Sequence, residues 1–213
     1  MGPARTSDAH DDPREFVEAA KLTNMHDRAA AWDLLCLNTP SDSLRRHCLG
    51  VESCMRGYAR TLGEDEELWG NAGLLHDFDY EQHPDEHPLW GMALLREQGW
   101  PEPLIQAIAA HYSAKTGVQP TTLIEKYLFA CDELSGFITA VTYVRPSKSV
   151  REVEVKSVTK KLRTAAFAAG VNRDDVQNGA ELIGLPIEEH ISNCLASMQK
   201  DAESLGLAGS PVE

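Results

Sequence analysis

Apolar residues recur at intervals of three and four along almost the whole chain, and this spacing constrains the fold more than any other feature. Glycine and proline punctuate the pattern, as at Gly63, Gly99 and Gly184-Leu185-Pro186. No segment alternates convincingly as a strand. The sequence therefore predicts an all-α fold, with helices over about 14–22, 26–37, 42–62, 65–76, 121–143, 151–170 and 173–207, and shorter ones beginning at His87-Pro88 and at Pro101.

Composition limits the class of protein and its partners. The chain has 213 residues, of which 42% are hydrophobic, enough for one core with a small appendage. Its apolar stretches fall short of the ~20 residues that span a bilayer, and no signal segment opens it. We therefore expect a cytoplasmic protein that contacts no membrane. The net charge of −13 opposes binding to long nucleic acids, which depends on Lys and Arg.

The chain divides into three parts by composition. Residues 1–14 are polar and are predicted to be a flexible tail. Residues 15–145 are predicted to form a helical core with the functional site, and residues 146–213 a C-terminal helical extension packed on it. A homodimer is compatible with this division. The five cysteines form no CxxC pair, so we expect buried free thiols rather than disulfides or a zinc site.

Four residues capable of binding a metal lie in apolar helical segments. They are His47, His76, Asp77 and Asp132. A single buried His or Asp is more often a hydrogen-bonded core residue or a helix cap. A carboxylate among apolar residues nevertheless needs a partner, because desolvating its charge costs several kcal/mol. Imidazoles and carboxylates together suit divalent ions such as Mn, Fe, Co, Ni or Zn, and Mg is also compatible.

The order of these residues, with the segments around them, resembles the HD superfamily of metal-dependent phosphohydrolases. Gly73-Leu74-Leu75-His76-Asp77 is similar to the apolar run that ends in the family's His-Asp pair. The segments His87-Pro88-Leu89-Trp90-Gly91 and Pro103 to His111 are similar to the two segments that follow in HDIG-type members. The resemblance covers about residues 40–145 and implies an HD-domain helical bundle.

The resemblance also implies a set of metal ligands. His47, His76, Asp77 and Asp132 would bind a first divalent ion, and His87 and His111 would bind a second one, with Asp77 bridging the two. His83 competes with His87 for this assignment. We favour His87 because it directly precedes the His-Pro helix, and we expect His83 to face substrate or solvent.

The chain departs from the HDIG pattern just after the His-Asp pair. Phe78-Asp79-Tyr80-Glu81 stands where the family usually has Ile-Gly-Lys. Asp79 and Glu81 are candidates, with Asp77, for catalytic residues that orient a water, although solvated loop carboxylates are the competing interpretation. Arg145 and Lys148 are candidates for binding a substrate phosphate, with an exposed surface role as their alternative.

The resemblance implies a metal-dependent phosphohydrolase that acts on a small phosphate ester or a nucleotide through a metal-activated water. Two alternatives stay open. One is a di-iron oxygenase resembling the myo-inositol oxygenases, and the other is a non-catalytic HD module that binds a nucleotide. The aromatic residues near the site are expected to be core residues more often than base-stacking ones; they are Trp69, Trp90, Trp100, Tyr80 and Tyr112.

Overall fold

The computed structural model describes residues 26–209, and within that range it contains ten α-helices, one short 3₁₀ segment (Val150–Glu152) and no β-strand. The all-α prediction is confirmed, whereas the predicted tail and the predicted helix 14–22 lie outside the described residues. The helices are α1 (Arg28–Asn38), α2 (Asp42–Leu62), α3 (Glu66–Leu75), α4 (Leu89–Glu97), α5 (Glu102–His111), α6 (Ser113–Thr116), α7 (Leu123–Tyr143), α8 (Val155–Leu162), α9 (Arg173–Leu182) and α10 (Ile187–Lys200).

Local sequence signals set the ends of the two longest helices. The Ser41 side chain accepts a hydrogen bond from the Leu44 amide and starts α2, and Gly63 ends it with a left-handed φ of 73°. Thr122 and Glu125 form a capping box at the start of α7. Because these contacts are local, the sequence predicted the bounds of both helices to within about two residues.

The region after α7 differs from the prediction. A single helix over 151–170 was expected, but α8 ends at Leu162 and a loop follows it. The Arg173 guanidinium lies inside this loop and donates hydrogen bonds to backbone carbonyls. The accepting residues are Leu162, Thr164, Phe167, Ala168 and Val171. These tertiary contacts override the high helix propensity of the alanine-rich segment.

Helices α2 and α7 form the centre of the molecule. Helix α2 packs on α3, α7 and α10, while α7 also packs on α5 and α9. The approach of α3 to α2 is close at Gly73, where an added Cβ would lie 2.9 Å from the Glu52 backbone nitrogen. A glycine at this position therefore lets the end of α3, which carries the His-Asp pair, lie against α2.

One buried apolar cluster continues from α1 through to the C-terminal helices. Trp69, Phe78 and Phe137 are among its largest fully or nearly fully buried side chains, and Ile191 and Met198 of α10 belong to it as well. Residues 146–209 thus share a core with the preceding helices, and the predicted division at residue 145 stays a prediction. All five thiols are free, and four of them are buried: Cys48, Cys54, Cys131 and Cys194.

Within residues 26–209, no helix has both the length and the apolar character that crossing a bilayer requires.

Candidate metal centre

Five separate elements bring the six predicted ligands to one place. His47 lies on α2, and His76 and Asp77 directly follow the last residue of α3. The other three lie just before α4, at the end of α5 and in the middle of α7; they are His87, His111 and Asp132. Their side chains are mostly buried, from fully enclosed His76 to Asp132 at 23% exposure. The fold thus brings imidazoles and carboxylates together in a pocket that keeps some access to solvent.

The first group of ligand atoms is formed by His47, His76 and Asp132. The Nε2 of His47 lies 3.1 Å from the Nε2 of His76 and 3.0 Å from Oδ1 of Asp132. The Nε2 of His76 lies 3.4 Å from that same oxygen. Ligand atoms bound at ~2.1 Å to one ion stand about 3.0–3.4 Å apart, so these spacings match the edges of a coordination shell.

The second group is formed by Asp77, His87 and His111. Oδ1 of Asp77 lies 3.3 Å from Nε2 of His87 and 3.5 Å from Nε2 of His111. The other oxygen of the same carboxylate, Oδ2, lies 3.4 Å from Nε2 of His76 in the first group. Asp77 therefore connects the two groups, which is the position that a bridging carboxylate requires.

The hydrogen bonds on the far side of the rings define what the site can bind. Nδ1 of His76 faces the Gly73 carbonyl at 2.8 Å, and Nδ1 of His111 faces the Ile108 carbonyl. A carbonyl only accepts, so Nδ1 of both rings carries a proton, and Nε2 offers a lone pair to a cation that takes the place of the second ring proton. Ring nitrogens and carboxylate oxygens that converge in this way fit a cation, and this ligand set suits a divalent transition metal.

The charges inside the pocket shift the pKa values of its members. Burial alone would disfavour the charged form of His76, but the carboxylates of Asp77 and Asp132 hold its pKa well above its usual value. Against the same burial, the facing histidines hold the pKa values of Asp77 and Asp132 below their ordinary range. Both carboxylates are thus ionised near neutral pH, as metal ligands must be.

Burial also raises the pKa values of two titratable residues that neighbour the candidate ligands in sequence. Burial raises the pKa of the Cys48 thiol to about 12, so this residue beside His47 stays neutral in the protein without a bound ion, and it belongs to neither ligand group. Burial, together with the charge of Asp132, raises the pKa of Glu133 to about 7. Glu133 is not among the residues predicted from the sequence, although its position next to Asp132 could have drawn attention to it.

The structure gives Asp79 a different environment from the one expected. Its side chain is 1% exposed, and both oxygens are occupied. Oδ1 lies 2.7 Å from Nδ1 of His87, and Oδ2 accepts a hydrogen bond of 2.8 Å from the Gly91 amide. An added Cβ at Gly91 would lie 2.8 Å from Oδ2, so glycine makes this contact feasible. The geometry favours a carboxylate that orients His87 over one that orients a water.

Four other predicted residues do not join the cluster. The exposed Glu81 accepts from the Ser41 amide at the start of α2. His83 stacks on Trp90 with ring centroids 3.8 Å apart. The Arg145 guanidinium points toward Glu152, 3.8 Å away, and exposed Lys148 lies in the turn after it. The helix rise from Asp132 to the end of α7 is about 16 Å, so the loop with both cations starts far from the ligands.

Two tyrosines expected as core residues lie instead at the edge of the site. Tyr80 and Tyr112 are 50% and 43% exposed. The Tyr80 ring meets the His87 ring edge-on at 5.4 Å, and the Tyr112 ring lies nearly parallel to it at 5.8 Å. The second ligand group therefore opens between two partly exposed aromatic rings.

Comparison with known proteins identifies the family of this region. Residues 44–136 match the family model of the HD domain, and the predicted resemblance to the HD superfamily is confirmed over these residues. Ribonuclease Y of Oleidesulfovibrio alaskensis is 33% identical over 99 residues, which are 45% of this chain and 18% of that protein. Ribonuclease Y of Syntrophobacter fumaroxidans is 34% identical over 131 residues, 58% of this chain and 23% of that protein.

These matches have a limited extent. The chain spans only about a fifth of the length of the two ribonucleases, as the shares of 18% and 23% show. No solved structure matches the chain significantly. All six candidate metal ligands lie within residues 44–136, the part of the chain that matches the HD domain.

Proposed function

We propose that this protein is a metal-dependent phosphohydrolase that cleaves a small phosphate ester or nucleotide. The observation that carries the proposal is the position of Asp77, whose two oxygens face separate groups of histidine nitrogens 3.3–3.5 Å away. One carboxylate between two ligand groups is suited to hold a pair of ions at the spacing of binuclear hydrolases, about 3.5–4 Å.

The bound ions would supply a hydroxide nucleophile near neutral pH and would neutralise charge on the phosphoryl oxygens. The residues of the chain have to hold that arrangement. Within residues 26–209, Asp77 and Asp132 form ion pairs with histidines alone, and no lysine or arginine is among their partners. Negative charge on a bound phosphoryl group would therefore be stabilised by metal ions that the six ligands hold, and not by lysine or arginine side chains. This favours metal-assisted hydrolysis.

The edge of the site supports an organic substrate with a flat group. Tyr80 and Tyr112 flank His87 and remain about half exposed. A nucleobase is worth about 1–3 kcal/mol when it stacks on an aromatic side chain. A nucleotide whose phosphate reaches the ligand cluster would have one of these rings within reach of its base.

The related ribonucleases suggest RNA as a larger alternative substrate that contains the same reacting phosphoryl group. Their name indicates RNA, whose phosphodiester shares its reacting phosphoryl centre with a nucleotide. The net charge of −13 supports a short substrate for the present chain, because binding a long strand depends on neutralising many phosphates.

The proposal is tested with a substrate panel. The purified protein, supplied in turn with Mn²⁺, Co²⁺ and Mg²⁺, is given nucleoside monophosphates, bis(p-nitrophenyl) phosphate and an RNA oligonucleotide, with and without oxygen. We expect oxygen-independent release of phosphate or nitrophenol with at least one ion. Asp77→Ala should lower the rate at least about 100-fold, since it removes a ligand of both groups. The matched control Asp85→Ala, in the exposed loop before His87, should keep it.

Three results would contradict the proposal. Equal rates in Asp77→Ala and the wild type would place the activity elsewhere. An activity that needs iron and oxygen would favour the oxygenase alternative. Tight nucleotide binding without turnover under any metal would favour the non-catalytic module.

A further inference from the structure

The segment that follows α7 is strongly basic in an otherwise acidic protein. Residues 145–173 contain eight Lys and Arg residues and two Glu residues, whereas the whole chain has a net charge of −13. Like charges are rarely gathered without a compensating partner, because their repulsion opposes the compact state. The local excess of positive charge therefore calls for an explanation.

A cavity of about 390 Å³ lies between the end of α7 and α8, within this basic segment. Its lining combines three cations, one hydroxyl and an apolar wall, as follows: Arg145, Lys160, Lys161, Ser157, Val141 and Val144. The volume is in the range of ligand pockets, which runs from about 300 to 1,000 Å³.

The cations of this cavity are poorly compensated within the described part of the chain. Nε of Arg145 is buried and has no hydrogen-bond partner there, and its Nη2 lies 3.8 Å from Glu152. That Glu152 carboxylate already accepts from the Ser147 hydroxyl. Lys161 lies over the Phe167 ring at 4.5 Å, and Lys160 makes no ion pair within residues 26–209. Within residues 26–209, the three cations of the cavity thus have no carboxylate at hydrogen-bond distance.

In a second cavity of similar size, the arginine charges are paired with a carboxylate of the same chain. That cavity, about 370 Å³, is lined by Arg28 and Arg56. Both guanidinium groups donate to Glu52 at 2.6–2.9 Å. Each of these guanidinium groups thus has a carboxylate at hydrogen-bond distance, although Nη2 of Arg56 is also buried without a partner. The cavity at Arg145 is different because, within residues 26–209, its cations have no carboxylate at such distances.

The basic cavity is separate from the candidate metal centre. Asp132 and Val141 both lie on α7, and the rise between them is about 14 Å. Because successive helical residues are ~100° apart, these two positions also lie on opposite sides of the helix. A ligand in the basic cavity would therefore not touch the six metal ligands.

We propose that this cavity is a second binding site, for the phosphate group of a small phosphate ester of nucleotide size. Arginine presents a planar fork that matches phosphate oxygens, and the two lysines add charge from α8. Val141 and Val144 provide an apolar surface for the organic part of the ligand. The site goes beyond the proposed hydrolytic function, since it requires neither a metal nor turnover.

The experiment is a ligand titration of the Mg²⁺-loaded protein, monitored by ¹H–¹⁵N NMR spectra. The probes are inorganic phosphate, ADP and an eight-residue single-stranded oligothymidylate. Amide shifts of residues 141–161 report the basic cavity, and those of residues 73–79 report the metal centre, so each site gives its own Kd. We expect saturable shifts at 141–161 with ADP, and weaker binding of inorganic phosphate.

The key variant is Lys160→Glu, and its matched control is Lys156→Glu. Lys156 lies one turn earlier on the same helix and pairs with Glu154 at 2.8 Å instead of lining the cavity. Lys160→Glu should weaken ADP binding at residues 141–161 at least ten-fold, roughly the loss of one charge-assisted contact, while Lys156→Glu changes it less than about two-fold. Arg145→Gln provides an independent second variant with the same expected direction.

Several outcomes would overturn the proposal. Shifts confined to residues 73–79 would leave phosphate binding to the metal centre alone. If Lys156→Glu and Lys160→Glu weaken ADP binding equally, the attraction comes from the general positive charge of the segment and not from a defined site. Tighter binding of the oligonucleotide than of ADP at residues 141–161 would identify a nucleic-acid surface instead. A failure at 141–161 leaves the hydrolysis assay unaffected, so the two proposals fail separately.

Discussion

At the residue scale, the end of α3 explains how two neighbours in sequence serve one centre. Adjacent helical residues point about 100° apart, which would normally separate their side chains. Helix α3 ends at Leu75, and Asp77 lies in the turn that follows. The His76 Nε2 and Asp77 Oδ2 atoms can therefore approach to 3.4 Å, and Asp77 keeps its second oxygen for the other ligand group.

Asp79 is expected to act through His87, and this can be measured. Asp79→Asn places an amide where Gly91 N–H and His87 Nδ1 now meet carboxylate oxygens, so one of the two contacts becomes donor against donor. Partners of this kind typically contribute 10–100-fold in metal affinity. We expect weaker binding of one of two ions by roughly that factor, measured by calorimetric titration with Mn²⁺.

The control for this variant is Asp85→Asn, which makes the same charge change in the exposed part of the same loop. Equal metal affinity of Asp79→Asn and the wild type would contradict the positioning role. A lost rate with unchanged metal affinity would instead restore Asp79 as a residue that orients water.

The candidate ligands could be predicted from the sequence, whereas the contacts of the residues around them could not. His47, His76, Asp77 and Asp132 stand out because each is a polar residue in an apolar helical segment. The contacts of Asp79 depend on how the turn over residues 76–88 folds back on Gly91, and no local pattern encodes that path. Arg145 and Lys148 are predicted to bind a substrate phosphate because they follow Asp132 in sequence, and in the structure the end of α7 that precedes them lies about 16 Å along the helix from Asp132.

At the scale of elements, a buried histidine ties α10 to α2 and α7. His190 is fully enclosed, with Nε2 2.9 Å from the Ala130 carbonyl and Nδ1 2.6 Å from the Tyr58 hydroxyl. Because the carbonyl only accepts, Nε2 carries the proton and Nδ1 accepts from Tyr58. Ala130 lies two positions before Asp132, so this contact also fixes the part of α7 that carries a predicted ligand.

Burial lowers the pKa of His190 below its ordinary value, and the stability of the protein should reflect this. At this residue the unfolded chain takes up a proton near pH 6.5, whereas the folded chain resists it, so the contribution of His190 to the free energy of unfolding falls as pH decreases below about 6.5. The raised pKa of Glu133 acts in the opposite direction, and it is common to the wild type and to a variant of His190. One proton contributes at most about 1.4 kcal/mol per pH unit to this slope. Urea unfolding between pH 7.5 and 5.0, in the presence of a chelator, measures it.

His190→Gln is the informative variant for this prediction, because glutamine keeps one donor for Ala130 and one acceptor for Tyr58 but does not titrate. The difference in unfolding free energy between the wild type and the variant should shrink or reverse in favour of the variant as pH falls. A constant difference across the range would show that His190 does not contribute to the pH dependence.

At the scale of the whole molecule, helix content was predictable and its interruptions were less so. The spacing of apolar residues and the caps at Ser41 and Gly63 are local, and the structure follows them. The loop after Leu162 was missed because its backbone is held by Arg173 from the start of α9, a contact between segments that no local pattern reveals. The packing of α10 on α2 likewise depends on the complete fold.

The six ligands come from five elements, so the metal centre reports on the fold as a whole. Its direct test is metal content per chain, measured by inductively coupled plasma mass spectrometry after saturation with Mn²⁺ or Co²⁺ and removal of free ions. The two ligand groups predict about two ions in the wild type, about one in His87→Ala, and fewer than one in Asp77→Ala. A wild type that retains no ion, or three proteins with equal metal content, would contradict the central claim.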